Sequence, residues 1–154
     1  MWLEEPVNPL DYESHRIIAE GSSIPLAVGE NLFSADDARN LLRYGGLRSD
    51  RDILQFDISL SYGITEYRRI LEHVAERGWS RRRCAPHAGH LLALNAVAGF
   101  GLGLAELAMD TTTLFGGLTS HIELDDGKAI LSDATGAGFE AAPAYSEIFG
   151  ELLN

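Results

Sequence analysis

One cysteine, Cys84, stands alone in this chain, which excludes an internal disulfide and fits a reducing compartment. Basic residues are scarce. Twelve Lys and Arg face 23 Asp and Glu, and the formal net charge of −11 works against binding a phosphate backbone, so no nucleic-acid partner is expected. The one dense basic cluster, Arg81, Arg82 and Arg83, reads as a solvated turn ahead of a strand. No apolar run is long enough for a membrane span. The start, MWLEEPVNP, has no basic stretch followed by a hydrophobic run, so no secretory leader is expected and the cytoplasm is the simplest address. Internal repeats, low-complexity tracts and linker-like segments are also missing, which argues against solenoids and divided domains.

What is present suits one globular domain: 154 residues with 45% hydrophobic content can bury a sizeable core. Short β-rich runs alternate with amphipathic helical stretches. The pattern predicts strands over Trp2–Glu4, Pro25–Gly29, Ile53–Phe56, Cys84–Pro86 and Gly101–Ala105. Between them it predicts helices over Asp11–Glu20, from Ser34 through Tyr44, over Thr65–Arg77 and over Leu91–Ala98. Asp11 and Ser34 stand at N-cap positions, Asp36 and Asp37 put carboxylates in a first turn, and Gly45-Gly46 and Gly78 mark helix ends. A hairpin over Ile122–Leu131 turns at Asp125-Asp126-Gly127, and a terminal helix covers Pro143–Leu153. Such alternation implies an α/β fold of about five parallel strands with right-handed crossovers and outer helices, either an open sheet or part of a barrel.

Polar residues close successive strands: Glu4, Glu30, Asp57, His87 and Glu106. In parallel α/β sheets and barrels the active site lies at the carboxyl ends of the strands, so this is where chemistry is expected. Each residue also has a plainer reading. Glu4 and Glu30 taken singly are solvated or capping carboxylates, and Asp57 is a turn-former before Ser59. His87 and His90 form a His-x-x-His pair of the kind that binds zinc, but no third soft ligand accompanies them; His87 is the better catalytic position, with His90 supporting the start of a helix. Cys84 reads as a small core residue, and His15, His73 and His121 as surface or packing residues. The glycines at 99, 101 and 103 precede a strand instead of following one, which makes a nucleotide loop a poor reading.

W-L-E-E-P at Trp2–Pro6, V-G-E at Val28–Glu30, F-D-I-S-L-S-Y-G at Phe56–Gly63 and P-H-A-G-H at Pro86–His90 together resemble the enolase superfamily, and within it the mandelate racemase branch of the mandelate racemase/muconate lactonizing enzyme family. The runs S-Y-G-I-T-E-Y, G-W-S-R-R-R-C-A-P-H-A-G-H-L-L-A-L-N and G-F-G-L-G are similar more narrowly to D-tartrate dehydratase-like acid-sugar dehydratases. The segment E-L-A-M-D-T-T-T-L-F-G-G departs from that narrower pattern.

The resemblance implies the carboxyl-terminal part of a (β/α)8 barrel, residues 1–154 forming one partial domain without the capping domain and first barrel strands. It implies Glu4 and Glu30 as Mg2+ ligands beside an aspartate expected upstream, Asp57 and His87 as an aspartate–histidine dyad, and Glu106 as the last-strand glutamate. The one lysine, Lys128, lies in the predicted hairpin and does not match the family's Lys-x-Lys pair. The implied chemistry is removal of a proton next to a carboxylate, stabilised by the cation as an enediolate, and loss of a β-hydroxyl to a 2-keto acid. His87 would carry the proton to the departing hydroxyl, and Glu106, kept protonated in an apolar strand setting, would hydrogen-bond the enediolate oxygen. Racemisation or epimerisation of a 2-hydroxy acid is the alternative, and a silent assembly module a second one. The substrate is a carboxylate-bearing small molecule such as tartrate. The chain alone is expected to be inactive and to associate as a homo-oligomer through open strand edges.

Overall fold

Successive strands lie side by side and run parallel in the computed structural model, which describes residues 1–107, 122–131, 133, 136, 137, 147, 149 and 150. Strand β1 (Leu3–Glu4) pairs with β2 (Leu26–Val28), and β2 with β3 (Ile53–Leu54). Leu3 stands opposite Leu26, and Ala27 opposite Ile53. Parallel neighbours require a long crossover between them. Helix α1 (Tyr12–Gly21) joins β1 to β2, and α2 (Ala35–Tyr44) joins β2 to β3.

Local chemistry explains where these helices begin and end. The Asp11 carboxylate accepts the Ser14 backbone N–H at 3.0 Å, and the Ser34 hydroxyl accepts that of Asp37 at 3.1 Å, each satisfying an orphan donor of the first turn. Gly45 N–H returns to the Leu41 carbonyl at 2.8 Å, and Gly46, at φ +63°, turns the chain out of α2. Helix α3 (Ile64–Glu76) buries Tyr67, Ile70, Leu71 and Val74, the stripe its periodicity predicts. Helix α4 (Leu91–Phe100) is capped by His90, whose Nδ1 accepts the Ala93 N–H at 3.1 Å, and ends at left-handed Gly101.

The fourth and fifth expected strands are reduced. Cys84 makes a single parallel bridge to Leu54 after a 3-10 turn at Arg81–Arg83, and Ala85 N–H donates to the Leu54 carbonyl at 2.9 Å. Pro86 has no N–H with which to extend that ladder. The segment Gly101–Ala105 is not a strand. Gly103 and Leu104 N–H groups both converge on the Cys84 carbonyl at 3.3 Å, and Gly103 packs so closely on the Arg82 carbonyl that a side chain there would overlap it. Two donors sharing one acceptor is a close backbone approach, not a ladder. The hairpin is present as β4 (Glu123–Asp125) and β5 (Lys128–Ile130), with Asp126 and Gly127 both at positive φ, as a two-residue turn matched to strand twist requires. The helix expected over Pro143–Leu153 lies largely outside the described residues, and His121 and the segment after Leu107 lie outside them as well.

Alternation along each strand divides the sheet into two faces. Leu26, Val28, Leu54, Phe56 and Ile58 face the helices and join Leu41, Tyr67, Ile70, Leu71 and Val74 in the main core. Each large side chain buried there contributes about 1.5–3 kcal/mol. The opposite face carries a separate small cluster, Ala27, Ile53 and Ala85. At the amino ends of the strands Asp52, fully buried, receives Arg48 Nη2 at 2.7 Å, Arg48 Nε at 3.0 Å and the Leu26 N–H at 2.9 Å. Arg48 also donates to the carbonyls of Ala19, Ser22 and Ile24, tying α1 and its following turn to the sheet.

Candidate active site

The second face of the sheet carries polar residues as soon as the strands end. Period-two alternation puts Gln55 and Asp57 on the face of Ile53, and His87 on that of Ala85. Asp57 is buried and divides its oxygens between two tasks. Oδ1 accepts the N–H groups of Ser59 at 2.6 Å and Leu60 at 2.9 Å, while Oδ2 lies 3.1 Å from His87 Nδ1. The turn-forming and the dyad readings of this residue therefore describe the same carboxylate.

His87 is half-buried, and its other ring nitrogen, Nε2, lies 3.7 Å from Glu30 Oε2. Burial opposes charge on the ring, but the Asp57 hydrogen bond and the negative charges of Glu30, Glu106 and Asp57 outweigh it and raise the His87 pKa above 6.5. The turn after it is strained: Ala88 holds φ +81° without being glycine, which aims its N–H at Glu106 Oε2, 2.9 Å away. Glu106 is half-buried on the irregular extended segment, not in the apolar strand expected for it.

Glu4 closes β1, and its Oε2 accepts Trp2 Nε1 at 2.7 Å and Gln55 Nε2 at 3.2 Å. Glu5, at φ +36°, accepts the Gly29 N–H at 2.7 Å through Oε1, and its Oε2 is buried with no hydrogen-bond partner. Glu30 follows Gly29, whose φ of +118° disfavours any side chain and where an added Cβ would stand a tight 3.0 Å from the Phe56 ring. Gln55, Glu5, Trp2 and Ala88 were missed in the sequence. The first was legible as the polar residue two positions before Asp57 in I-L-Q-F-D; positive φ at Glu5 and Ala88 has no comparable signal.

Asp57 and Glu30 lie against the His87 ring, Glu106 holds the N–H of the next residue, Glu4 and Glu5 stand at the end of β1, and among the described residues no Lys or Arg pairs with any of these five carboxylates. Such a surplus suits a cationic guest. Glu4 and Glu30 offer hard oxygens, the donor type that suits Mg2+. Among the described residues no group of three or more His, Cys, Asp or Glu is placed to hold a metal ion.

Ser59 and His90 do not form a nucleophilic pair. Because His90 Nδ1 accepts from Ala93, its Nε2 carries the proton and donates to Ser59 Oγ at 2.6 Å. Burial first, and then the neighbouring His87, keep the His90 pKa below 6.5. His90 and His87 thus have separate partners and no shared zinc geometry. His15 is a buried packing residue bonded to the Asp11 carbonyl, His73 pairs with Glu76, and burial pushes the Cys84 thiol up to about 12.

Strand-end carboxylates and a histidine–aspartate pair thus lie at the carboxyl ends of a parallel sheet, the end where α/β sheets and barrels carry their sites. Residues 1–145 match the enolase C-terminal domain-like family, and the chain belongs to it. L-talarate/galactarate dehydratase of Salmonella typhimurium is 31% identical over 140 residues, covering 90% of this chain and 33% of that protein. D-galactonate dehydratase of Variovorax paradoxus is 40% identical over 70 residues, 46% of this chain and 17% of that one. The structure of L-talarate dehydratase from Polaromonas sp. JS666, complexed with Mg and L-glucarate, superposes with a TM-score of 0.71 at 28% identity, covering 89% of this chain and 36% of that one. The chain thus spans about a third or less of the length of these curated relatives. Among the described residues no helix is long and apolar enough to cross a membrane.

Proposed function

We propose that this chain supplies the carboxyl-terminal part of the active site of a Mg2+-dependent acid-sugar dehydratase, residues 1–154 forming one partial barrel domain. The observation that carries this reading is the Asp57–His87 pair, 3.1 Å apart at the carboxyl ends of parallel strands, with Glu30 3.7 Å beyond the ring. Mg2+, held by Glu4 and Glu30 with oxygens from outside this set, would supply Lewis-acid stabilisation of charge developing at the substrate carboxylate. Asp57 fixes the imidazole by accepting from Nδ1–H, which leaves Nε2 to move the proton. The raised pKa favours the protonated ring, the state needed to deliver a proton to a departing β-hydroxyl. Glu106, with one oxygen accepting from Gln55 and the other from Ala88, would accept a hydrogen bond from a substrate hydroxyl.

The substrate class is a polyhydroxylated acid, of tartrate length or longer. The exposed β1 edge and exposed Leu60, Tyr62 and Ile64 support association with a second copy, and the location is cytoplasmic on this reading. The test pairs the purified chain with a chimera in which it replaces the corresponding segment of the Salmonella enzyme. Both are incubated with Mg2+ and tartrate, galactarate, talarate or galactonate, and 2-keto acid and optical rotation are followed. The chimera is expected to form keto acid and the chain alone none. A folded chimera that racemises without keto acid would move the assignment to racemase, and one that does neither would end it.

A further inference from the structure

Gln55 holds two carboxylates with one amide nitrogen. Its Nε2 lies 3.2 Å from Glu4 Oε2 and 3.1 Å from Glu106 Oε1, partners that are each 51 residues away in sequence. The side chain is fully buried, and its backbone N–H is pinned to the Val28 carbonyl at 2.8 Å, so the amide has little freedom. Its orientation is dictated by its partners, because an ionised carboxylate only accepts and a flipped amide would present oxygen to both. That orientation leaves Gln55 Oε1 buried with no hydrogen-bond partner. A packing residue would gain nothing from that arrangement, since an apolar side chain of the same shape avoids the unpaired acceptor.

A neutral donor is also the chemically apt choice. Arginine or lysine here would hold the same carboxylates but neutralise them, competing with a cation at Glu4. Each carboxylate also has a second donor: the Trp2 indole shares Glu4 Oε2 with Gln55, and the Ala88 N–H beside His87 holds Glu106 Oε2, the oxygen that Gln55 does not touch. The result is a continuous line from Trp2 through Glu4, Gln55 and Glu106 to Ala88.

We propose that Gln55 is a positioning residue that joins Glu4 to Glu106, so that a cation arriving at the first carboxylate sets the position of the second. This rests on the reading of Glu4 as a metal ligand and Glu106 as the group facing substrate. The test is 15N NMR on the intact chain, following the Trp2 indole N–H, the Gln55 side-chain amide and the Ala88 backbone N–H during Mg2+ titration, with Gln55→Met as the variant. In the unsubstituted chain both Gln55 amide protons exchange slowly with solvent, and Trp2 and Ala88 respond to Mg2+ with one midpoint. In Gln55→Met both N–H signals move before metal is added, Mg2+ affinity falls about 10-fold or more, and Ala88 no longer responds to Mg2+.

Rapid exchange of the Gln55 amide, which needs no variant, would overturn the bridge. So would Gln55→Met leaving both signals in place, or an Ala88 response to Mg2+ that survives the substitution. If Mg2+ moves neither signal in the unsubstituted chain while the Gln55 amide stays protected and Gln55→Met still shifts both, the bridge stands and the metal reading of Glu4 fails.

Discussion

The two ends of the parallel sheet treat charge in opposite ways. At the amino ends, Arg48 and Asp52 cancel each other, and every strong donor and acceptor between them finds a partner in the sheet or in the turn after α1. At the carboxyl ends, Asp57 and Glu30 share one histidine, Glu4 and Glu106 share one neutral amide, Glu5 Oε2 and Gln55 Oε1 are left unpaired, and Ala88 is held at positive φ. The first arrangement lowers the energy of the fold. The second leaves negative charge and polar atoms unpaired beside a strained turn, a pattern typical of functional sites.

The sharpest break in this comparison comes from exchanging charge for a neutral amide at the carboxyl end. His87→Asn in the chimera is expected to lower keto-acid turnover by about 10²–10⁴-fold while leaving thermal unfolding of the chain nearly unchanged; a variant that turns over normally would remove His87 from the mechanism. The mirror experiment is at the amino end. Asp52→Ala leaves the half-buried Arg48 guanidinium without its carboxylate and the buried Leu26 N–H without an acceptor, and should destabilise the chain by about 1–3 kcal/mol in urea unfolding, with no direct effect on Mg2+ binding in the fraction that remains folded. Calorimetric titration with Mg2+ is expected to show heat that Glu4→Gln or Glu30→Gln removes, and equal heats in all three proteins would exclude both as ligands.

Two histidines three positions apart sharpen it further. His87 has a folded pKa above its unfolded value, so its stabilising contribution is fully present below about pH 6.5 and is lost as pH rises through the folded value. His90 is shifted the other way, so its contribution is present above the unfolded value and is lost as pH falls through the folded one. Ring 15N titrations should therefore resolve two midpoints, that of His87 above and that of His90 below the ordinary histidine value, and Asp57→Asn should lower that of His87. Coincident midpoints would contradict the geometry. The smallest effect is local: Asp11→Ala removes the cap of α1, far from the charged end, and is expected to cost about 1 kcal/mol in unfolding with Mg2+ binding unchanged.

Much of this was legible in the residues. The caps at Asp11 and Ser34, the stripe of Tyr67, Ile70, Leu71 and Val74, and the Asp126-Gly127 turn are set by interactions within a few positions, and sequence patterns report those well. The strand-end residues Glu4, Glu30, Asp57 and His87 were visible for the same reason, because an apolar run that stops at a polar residue marks a strand end. The strand expected over Gly101–Ala105 was not realised, since its glycines serve a left-handed helix cap at Gly101 and a close approach to the Arg82 carbonyl at Gly103, neither of which composition can distinguish from a strand.

By itself, then, the sequence determined the alternation of strands and helices, the faces they bury and the end of the sheet where chemistry gathers, all consequences of short-range periods and caps. Only the tertiary structure decided that Asp57 serves a turn and a histidine at once, that Glu5 clamps Gly29, and that one amide at Gln55 reaches Glu4 and Glu106. Those relations join residues 24 to 51 positions apart, and they depend on register and backbone strain that exist only once the strands lie side by side.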